Sequence, residues 1–248
     1  ARTLLASETP LRGIVHQDRR AVAGLAMELV SADLQDLPAL CRAFQGVDVV
    51  YHLAGMISLA LEDEPRMQEV NVNGVRNVLE ACRVAGVRRL VHFSSIHALE
   101  QEPLDRGLDE ERPLALGPHH APYDRTKAEG EKLVRQAIAE GMDAIILNPT
   151  AIVGPYDFKP SYFGQALKLI ASGRLPALVT GGFDWVDVRD VVMAAIQAAN
   201  TAPPGRRYLI SGHWRSVSQV ARGITSLSGI RPPLVTIPLA LASQLAPL

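Results

Sequence analysis

A tyrosine and a lysine lie four residues apart in the stretch Tyr123-Asp124-Arg125-Thr126-Lys127, and a pair of serines, Ser94 and Ser95, ends an apolar run upstream. Residues four apart share one face of a helix, so the phenol and the ammonium are expected to lie close together. A phenol is a poor acid at neutral pH, and a nearby ammonium lowers its pKa because it stabilises the phenolate. Serine, tyrosine and lysine therefore form a proton-transfer apparatus suited to alcohol–carbonyl chemistry.

The Tyr-x-x-x-Lys pattern alone is short and common, and by itself it favours an ordinary surface helix. Its interpretation depends on the elements around it. Apolar runs alternate with helix-length periodic segments along the chain, which predicts strand–helix units and a parallel sheet. The runs are rich in Val, Leu and Ile, as expected of strands covered on both faces. The strand candidates are residues 2–5, 28–31, 47–53, 89–94 and 144–147.

Three helices are predicted between these strands. Residues 37–44 open near Asp36, a possible cap, residues 66–84 end at Gly86, and residues 122–139 begin at a proline. Residues 96–121 carry prolines, glycines and mixed charges, which is typical of a long functional loop. After residue 154 the pattern changes to a smaller lobe that is interleaved with the end of the sheet. Its candidates are helices 161–172, 191–199 and 217–227 and strands 185–188 and 208–211.

The composition narrows the function classes. The chain has 248 residues, 48% of them hydrophobic, which suffices for one large core or for one domain with a small lobe. A net charge of -1 argues against a nucleic-acid partner. The two cysteines, Cys41 and Cys82, show no metal-ligand spacing, so we expect reduced thiols in a cytoplasmic protein and no metal. The apolar tail, residues 234–248, is too short and interrupted to span a bilayer.

A series of short motifs follows one another in a characteristic order. They are Asp33-Leu34, His52-Leu53-Ala54-Gly55, Asn71-Val72-Asn73-Gly74, Ser94-Ser95, Tyr123-x-x-x-Lys127, Asn148-Pro149-Thr150, Gly154-Pro155 and Val186-Asp187-Val188-Arg189-Asp190. In this order the chain resembles, over almost its whole length, the extended short-chain dehydrogenase/reductase (NAD-dependent epimerase/dehydratase) family. The resemblance implies an α/β fold with a doubly wound, Rossmann-type parallel sheet and a small C-terminal substrate lobe. It implies a dinucleotide-binding domain over residues 1–154 and a mainly substrate-binding lobe over residues 155–248.

The resemblance also implies roles for the motif residues. Tyr123 would be the general acid or base, Ser95 would hold the substrate oxygen, and Lys127 would bind the nicotinamide ribose. Asn71 matches a position with a structural or proton-relay role. The remaining cofactor-binding candidates follow strand ends and are Asp33, Leu34, Leu53, Ala54, Gly55, Ser94, Pro149 and Thr150. The substrate-pocket candidates, besides Ser95, are Met56, Ile57, His97 and Tyr156.

Two residues depart from the sugar-nucleotide members of the family. Ala151 and Phe183 stand where those members commonly carry an asparagine and an arginine that contact the diphosphate. An anionic diphosphate needs polar or charged donors, which alanine and phenylalanine lack. This departure favours a less polar carbonyl or alcohol and the dihydroflavonol-reductase-like branch. The alternatives are a nucleotide-sugar epimerase or dehydratase, which would use the same catalytic residues, and a non-catalytic dinucleotide sensor.

The resemblance matches residues 1–6 to the second strand of the family fold, and no glycine-rich turn precedes them. We therefore expect the natural protein to carry roughly 25–35 further residues, the size of one strand–turn–helix unit. An acidic residue at the end of the second strand favours NAD, and an arginine favours NADP. Ala6 and Ser7 occupy that place, with Arg12 nearby, so both cofactors stay open with a lean towards NADP. A small carbonyl or alcohol substrate is the expected partner, with no membrane partner and a homodimer as the candidate assembly.

Overall fold

Parallel strands from distant parts of the chain form the main sheet of the structure, a computed structural model that describes residues 1–159, 161–231, 233, 235–238 and 241. The chain divides into two units. The first consists of Ala1–Pro149 and Val191–Ile210, and the second of Thr150–Asp190 and Ser211–Leu248. The assignment of cofactor and substrate binding to separate parts of the chain stays a prediction.

Most elements of the first unit precede the second unit in the chain, and two further elements of the first unit, a helix and a strand, come later. The earlier elements are α1 (Arg2–Ala6), β1 (Arg12–Val15), β2 (Glu28–Ser31), α2 (Leu37–Phe44), β3 (Val49–His52), α3 (Glu64–Gln68), a π-helical turn (Glu69–Asn73), α4 (Gly74–Ala85), β4 (Arg89–Phe93), α5 (Pro122–Ala139) and β5 (Ala144–Pro149). The second unit then opens with β6 (Ala151–Val153), α6 (Tyr162–Ala171), β7 (Ala177–Val179) and β8 (Gly182–Asp187). After these come α7 (Val188–Thr201), β9 (Arg207–Ile210), β10 (His213–Ser216), α8 (Val217–Ser228) and β11 (Val235–Ile237).

The main sheet has the strand order β3-β4-β5-β9, and all of its pairs are parallel. Alternate residues of these strands face opposite sides. Leu90 and Ile146 pack with helices α2, α4 and α5, whereas Val91 and Ile145 pack with alanines of α7. Burial on both faces explains the continuous apolar runs of the sequence. The predicted α/β class with a Rossmann-type parallel sheet is confirmed.

The helix signals of the sequence are confirmed at several termini. Asp36 caps α2 by accepting a hydrogen bond from the Ala39 amide at 3.0 Å, and α4 ends at Gly86, which has a φ of 67°. Helix α5 spans the predicted residues 122–139. The helix predicted over residues 66–84 is instead divided, because a π-helical turn separates α3 from α4.

The strand predicted at residues 2–5 is wrong, since residues 2–6 form helix α1. The apolar pair Leu4-Leu5 is too short for periodicity to distinguish a strand from a helix. The strand that pairs with β2 is β1, in the register Arg12 to Glu28, and the two form a separate two-stranded parallel sheet. The match of residues 1–6 to the second strand of the family fold is therefore also wrong, and the strand that precedes β2 ends at Val15.

The second unit contains a three-stranded sheet, β10-β8-β6, and a parallel pair, β11-β7. Ile170, Leu178 and Ala221 form its buried core, to which α6 and α8 contribute. The helices and strands predicted after residue 154 are present, with ends that differ by a few residues, and α7 and β9 among them lie mainly in the first unit. Most of the apolar tail considered above lies outside the described residues. Within the described part of the chain, no helix has the length and apolarity needed to cross a membrane.

Candidate active site

Helix α5 carries both Tyr123 and Lys127 and lies against the π-helical turn that contains Asn71. The two segments approach very closely, because a Cβ on Gly130 would lie 2.3 Å from the Asn71 carbonyl oxygen. Only glycine permits this approach. The contact is reinforced by Asn71 Nδ2, which donates to Thr126 Oγ1 at 3.1 Å. The residues that carry the predicted chemistry are thus fixed against a second helical segment.

The Tyr123 hydroxyl lies beside Ser95, and this interaction acts to lower the Tyr123 pKa. Ser95 is buried and lies two residues after the end of β4. Its hydroxyl accepts a hydrogen bond from the His97 amide at 3.1 Å. Burial raises the pKa of Tyr123 above its ordinary value, against the opposing effect of Ser95. This direction is opposite to the lowering that the sequence predicted, because burial of the phenol, together with the negative charge of Asp124, outweighs the effect of Ser95. The structure does bring Ser95 and Tyr123 together.

The Lys127 ammonium is buried, and its Nζ donates to the Phe93 carbonyl oxygen at 2.9 Å. Burial lowers the pKa of Lys127 from 10.5 to about 8, and Glu131 opposes this change. An ammonium has three donor hydrogens, and Phe93 is its one acceptor among the described hydrogen bonds. Lys127 is thus a charged group at neutral pH with donors to spare for a diol.

Asn71 holds the backbone that follows strand β3. Its Oδ1 accepts from the Met56 amide at 2.8 Å, and its Nδ2 donates to the Met56 carbonyl, also at 2.8 Å. The side chain is 3% exposed. These two bonds form a bidentate clamp on the turn after β3, and they favour the structural role over the proton-relay role for Asn71.

Sequence reasoning missed a buried polar cluster beneath these residues. Glu131 is fully buried, and its Oε2 accepts hydrogen bonds from Ser94 Oγ at 2.6 Å and from Asn148 Nδ2 at 2.8 Å. Its Oε1 accepts from Arg207 Nη1 at 3.0 Å. Asn148 Nδ2 also donates to the Ser95 carbonyl oxygen at 2.8 Å. Glu131 follows Lys127 by four residues, a spacing that could have identified it, whereas nothing in the local sequence marks Arg207.

The remaining predicted cofactor residues lie at or after the ends of strands β2 to β5. A Cβ on Gly55 would lie 3.5 Å from Asn71 Oδ1 and 3.8 Å from Lys127 Nζ, so the turn after β3 adjoins the predicted catalytic residues. Leu53 in this turn is 66% exposed, and Ala54 is exposed as well. The carboxyl ends of parallel strands are where doubly wound sheets bind dinucleotides. An apolar exposed turn beside an ammonium with spare donors therefore fits a nicotinamide nucleoside.

The adenine-binding candidates follow strand β2. Asp33 is exposed, with its Oδ1 accepting from the Gln35 amide at 3.0 Å and its Oδ2 lying 3.4 Å from His16 Nε2. Leu34 is half-buried and packs against the hydrophobic core that α2, α4 and α5 form with the main sheet. Of the other two candidates, Pro149 ends β5 in the first unit and Thr150 begins the second unit. An exposed carboxylate at the end of a strand is available to accept a hydrogen bond from an amine of a ligand.

The substrate-pocket candidates divide between the two units. In the first unit, the His97 ring centroid lies 5.8 Å from that of Tyr123, and His97 Nδ1 is 3.2 Å from Asp124 Oδ1. Met56 is clamped by Asn71, and Ile57 is 55% exposed. The fourth candidate, Tyr156, belongs to the second unit. The structure therefore places His97 beside the tyrosine and leaves Ile57 as an apolar surface on the turn after β3.

The histidines of the loop before α5 lie beside an acidic residue. Nε2 of His120 is 3.0 Å from Glu100 Oε2, and the ligand atoms of Glu100, His119 and His120 lie within 4.8 Å of one another. The ligand atoms of a tetrahedral zinc ion, with bonds of about 2 Å, lie closer together than 4.8 Å. This spacing therefore does not by itself define a metal site. The expectation that the protein holds no metal stays a prediction.

The structure thus places a buried serine, a buried lysine and a half-buried tyrosine at the carboxyl edge of a parallel α/β sheet. The profile of the NAD dependent epimerase/dehydratase family matches residues 1–211, and the chain belongs to this family. It is 37% identical to sterol demethylase protein B of Methylococcus capsulatus, an alignment that covers 99% of this chain and 75% of that protein. It is 29% identical to a putative dihydroflavonol 4-reductase of Synechocystis, over 96% of this chain and 71% of the relative.

A solved structure is similar to the whole chain. The crystal structure of gox2253 superposes with a TM-score of 0.90 and 31% sequence identity, covering 99% of this chain and 75% of that one. The recognition of the family from its motif order is thus confirmed, as is the expectation of an NAD(P)-dependent oxidoreductase of the extended short-chain type. The roles of the individual site residues remain proposals.

Proposed function

We propose that the protein reduces a carbonyl group, or oxidises a secondary alcohol, of a small and fairly apolar substrate, with Tyr123 as the acid or base. The observation that carries this proposal is the position of the Tyr123 phenol beside the Ser95 hydroxyl, on the helix that also buries Lys127. A sensor on the same fold has no need of this arrangement. Absorbance of the reduced nicotinamide, measured with a panel of aldehydes and ketones, tests for turnover.

The proposed proton transfer involves the side chains in a fixed order. In reduction, the Ser95 hydroxyl donates to the substrate oxygen and holds it beside the Tyr123 hydroxyl, which gives up its proton as negative charge develops on that oxygen. Lys127 stabilises the resulting phenolate through its positive charge. In oxidation, the same phenolate removes the proton. When bound, the nicotinamide cofactor supplies or accepts the hydride, and the residues proposed to hold it are Asp33, Leu34, Leu53, Ala54, Gly55, Ser94, Lys127, Pro149 and Thr150.

The substrate is proposed to be less polar than a sugar nucleotide. Phe183 is 51% exposed and makes an edge contact with Trp185, at 5.1 Å between ring centroids, and Trp185 stacks on Phe163 at 4.1 Å. Within the second unit this aromatic group presents carbon where family members that bind a diphosphate present an arginine. The names of the two curated relatives refer to a sterol and to a dihydroflavonol, which supports the same substrate class.

We expect no saturation of the protein by UDP- or dTDP-sugars, because the side chains of Ala151 and Phe183 cannot donate a hydrogen bond to a diphosphate. Isothermal titration calorimetry with each nucleotide sugar, in the presence of the cofactor, measures this directly. Titration with an apolar ketone that is turned over serves as the positive control. Tight binding of a nucleotide sugar would contradict the assignment and favour the epimerase or dehydratase alternative, which the family as a whole includes.

The preference for NADP is proposed from the corrected strand end. Strand β1 ends at Val15, and no carboxylate follows until Asp18, whose Oδ1 and Oδ2 accept hydrogen bonds from Arg20 Nε at 2.9 and 3.1 Å. The neighbouring Arg19 is exposed, and no hydrogen bond or ion pair of its side chain is found among the described residues. A guanidinium near a strand end suits the extra phosphate of NADP.

We expect Arg19→Ala to lower the preference for NADPH over NADH by about 10-fold or more, the usual effect of losing a charge-assisted hydrogen bond. The ratio of kcat/KM for the two cofactors measures this preference. Arg83→Ala removes an exposed arginine of α4 that pairs with Glu80 and Glu140, and it should leave the ratio unchanged. An unchanged ratio in Arg19→Ala, or a wild-type preference for NADH, would show that this residue does not select the cofactor.

A further inference from the structure

We propose that Glu131, paired with Arg207, is a positioning residue that keeps Lys127 in its ammonium form and fixes the Ser94–Ser95 turn for the oxidoreductase reaction. This inference rests on the proposed function, and it adds to that function a residue that touches neither substrate nor cofactor. It starts from the placement of a fully buried carboxylate one helical turn after the lysine.

The hydrogen bonds of Glu131 connect three elements of the first unit. One carboxylate oxygen accepts from Ser94 Oγ, after β4, and from Asn148 Nδ2, on β5, and the other accepts from Arg207, on β9. Asn148 extends the network to the Ser95 carbonyl oxygen. The backbone of the proposed substrate-binding serine is therefore fixed by groups that Glu131 orients.

Arg207 holds the Glu131 carboxylate in place through an ion pair. The arginine side chain is 9% exposed, and besides the carboxylate it donates to the carbonyl oxygens of Glu110 and Arg112. A buried ion pair is costly to desolvate, and a pair of apolar side chains of the same volume often stabilises a fold as well or better. The pair therefore need not stabilise the fold, and it holds the Glu131 carboxylate at a fixed position one helical turn after Lys127.

The other ionisable groups around Lys127 cannot replace this charge. His52, on β3, and His92, on β4, are fully buried, and burial lowers the pKa of His52 to about 3 and that of His92 well below its usual value. Both imidazoles are therefore neutral at pH 7. Tyr123 on the same helix has a raised pKa and is neutral as well. Glu131 is the group that opposes the lowering of the Lys127 pKa by burial.

The chain offers an unusually direct test, because it contains only four lysines: Lys127, Lys132, Lys159 and Lys168. NMR titration of protein labelled with ¹³C-lysine resolves their side-chain signals, and Lys127→Met assigns the signal of Lys127. We expect Glu131→Gln to lower the titration midpoint of Lys127 by about one pH unit or more, as removal of a nearby opposite charge does. Turnover should then fall by about tenfold above pH 8, and the gap to wild type should narrow as the pH falls.

Glu129→Gln is the matched control, since it neutralises a carboxylate of the same helix that accepts a hydrogen bond from Gln68 instead. It should leave the Lys127 midpoint unchanged. If Glu131→Gln does not fold, the double variant Glu131→Gln/Arg207→Met removes both buried charges. The Lys127 midpoint should again be lowered, but by less, because loss of the arginine cation offsets part of the loss of the carboxylate. A wild-type midpoint in a folded variant that lacks the carboxylate would overturn the proposal. The titration needs no substrate or cofactor, so its failure is distinct from a failure of the proposed function, which would appear as wild-type protein without turnover.

Discussion

Replacement of Tyr123 by phenylalanine is expected to lower turnover by roughly 10²-fold or more, which is the usual contribution of a general acid or base. The substitution keeps the ring and removes only the hydroxyl that lies beside Ser95. The affinity for the cofactor should change little, because the proposed role of this hydroxyl is proton transfer to the substrate oxygen. Steady-state kinetics together with fluorescence titration of the reduced cofactor separates the two effects.

Tyr51→Phe is the matched control, because Tyr51 is a half-buried tyrosine of the same unit that packs on the α7 side of the sheet. It should keep near-normal turnover. Near-normal turnover in Tyr123→Phe would instead remove Tyr123 from the mechanism, and the search for the proton donor would turn to Ser95 and His97.

Replacement of Lys127 by methionine is expected to reduce turnover by roughly 10²-fold or more and, unlike Tyr123→Phe, also to weaken cofactor binding. The methionine retains most of the volume of the lysine stem, but it lacks the charge and the donors proposed for the ribose hydroxyls. In wild type the activity that depends on the ammonium should decline as the pH rises through about 8, the pKa of Lys127. Normal cofactor affinity in Lys127→Met would contradict the proposed contact.

The same variant tests the burial of the lysine through stability. The pKa of Lys127 is lower in the folded chain, about 8, than its ordinary value of 10.5, so the unfolded chain holds more protons between these values. The cost of burying the charge, about 3 kcal/mol, is therefore present in full below pH 8 and is relieved as the pH rises towards 10.5. The stability of wild type relative to Lys127→Met, measured by urea unfolding, should rise over this range. A constant difference would mean that the lysine is not buried in its charged form.

The sequence predicted the helix ends that neighbouring residues determine. Helix α5 begins at Pro122 because proline is preorganised for the first helical position, and α2 begins after Asp36 because its side chain caps an amide. The sequence indicates a strand where helix α1 forms, because two adjacent leucines have no usable period. The π-helical turn at Asn71 has the composition of an ordinary helix, so its extra residue per turn cannot be read from the sequence.

In the candidate site, too, the sequence predicts neighbours along a helix but not contacts between distant parts of the chain. Tyr123 and Lys127 were predictable from a spacing of four residues, and the same spacing relates Lys127 to Glu131. Arg207 is 76 residues from Glu131 in the chain, and only the parallel pairing of β5 with β9 brings it to the helix. The direction of the Tyr123 pKa was also beyond the sequence, because it depends on how deeply the phenol is buried.

Direct hydride transfer to a carbonyl carbon is the central claim, and a deuterium label on the reduced nicotinamide tests it most directly. The protein is incubated with the cofactor deuterated at both C4 positions and with each member of the ketone and aldehyde panel, and the products are analysed by mass spectrometry. The account predicts an alcohol that carries one deuterium on its carbinol carbon with wild type, and almost none with Tyr123→Phe. Turnover that leaves no deuterium in the product, or equal labelling by the two proteins, would contradict it.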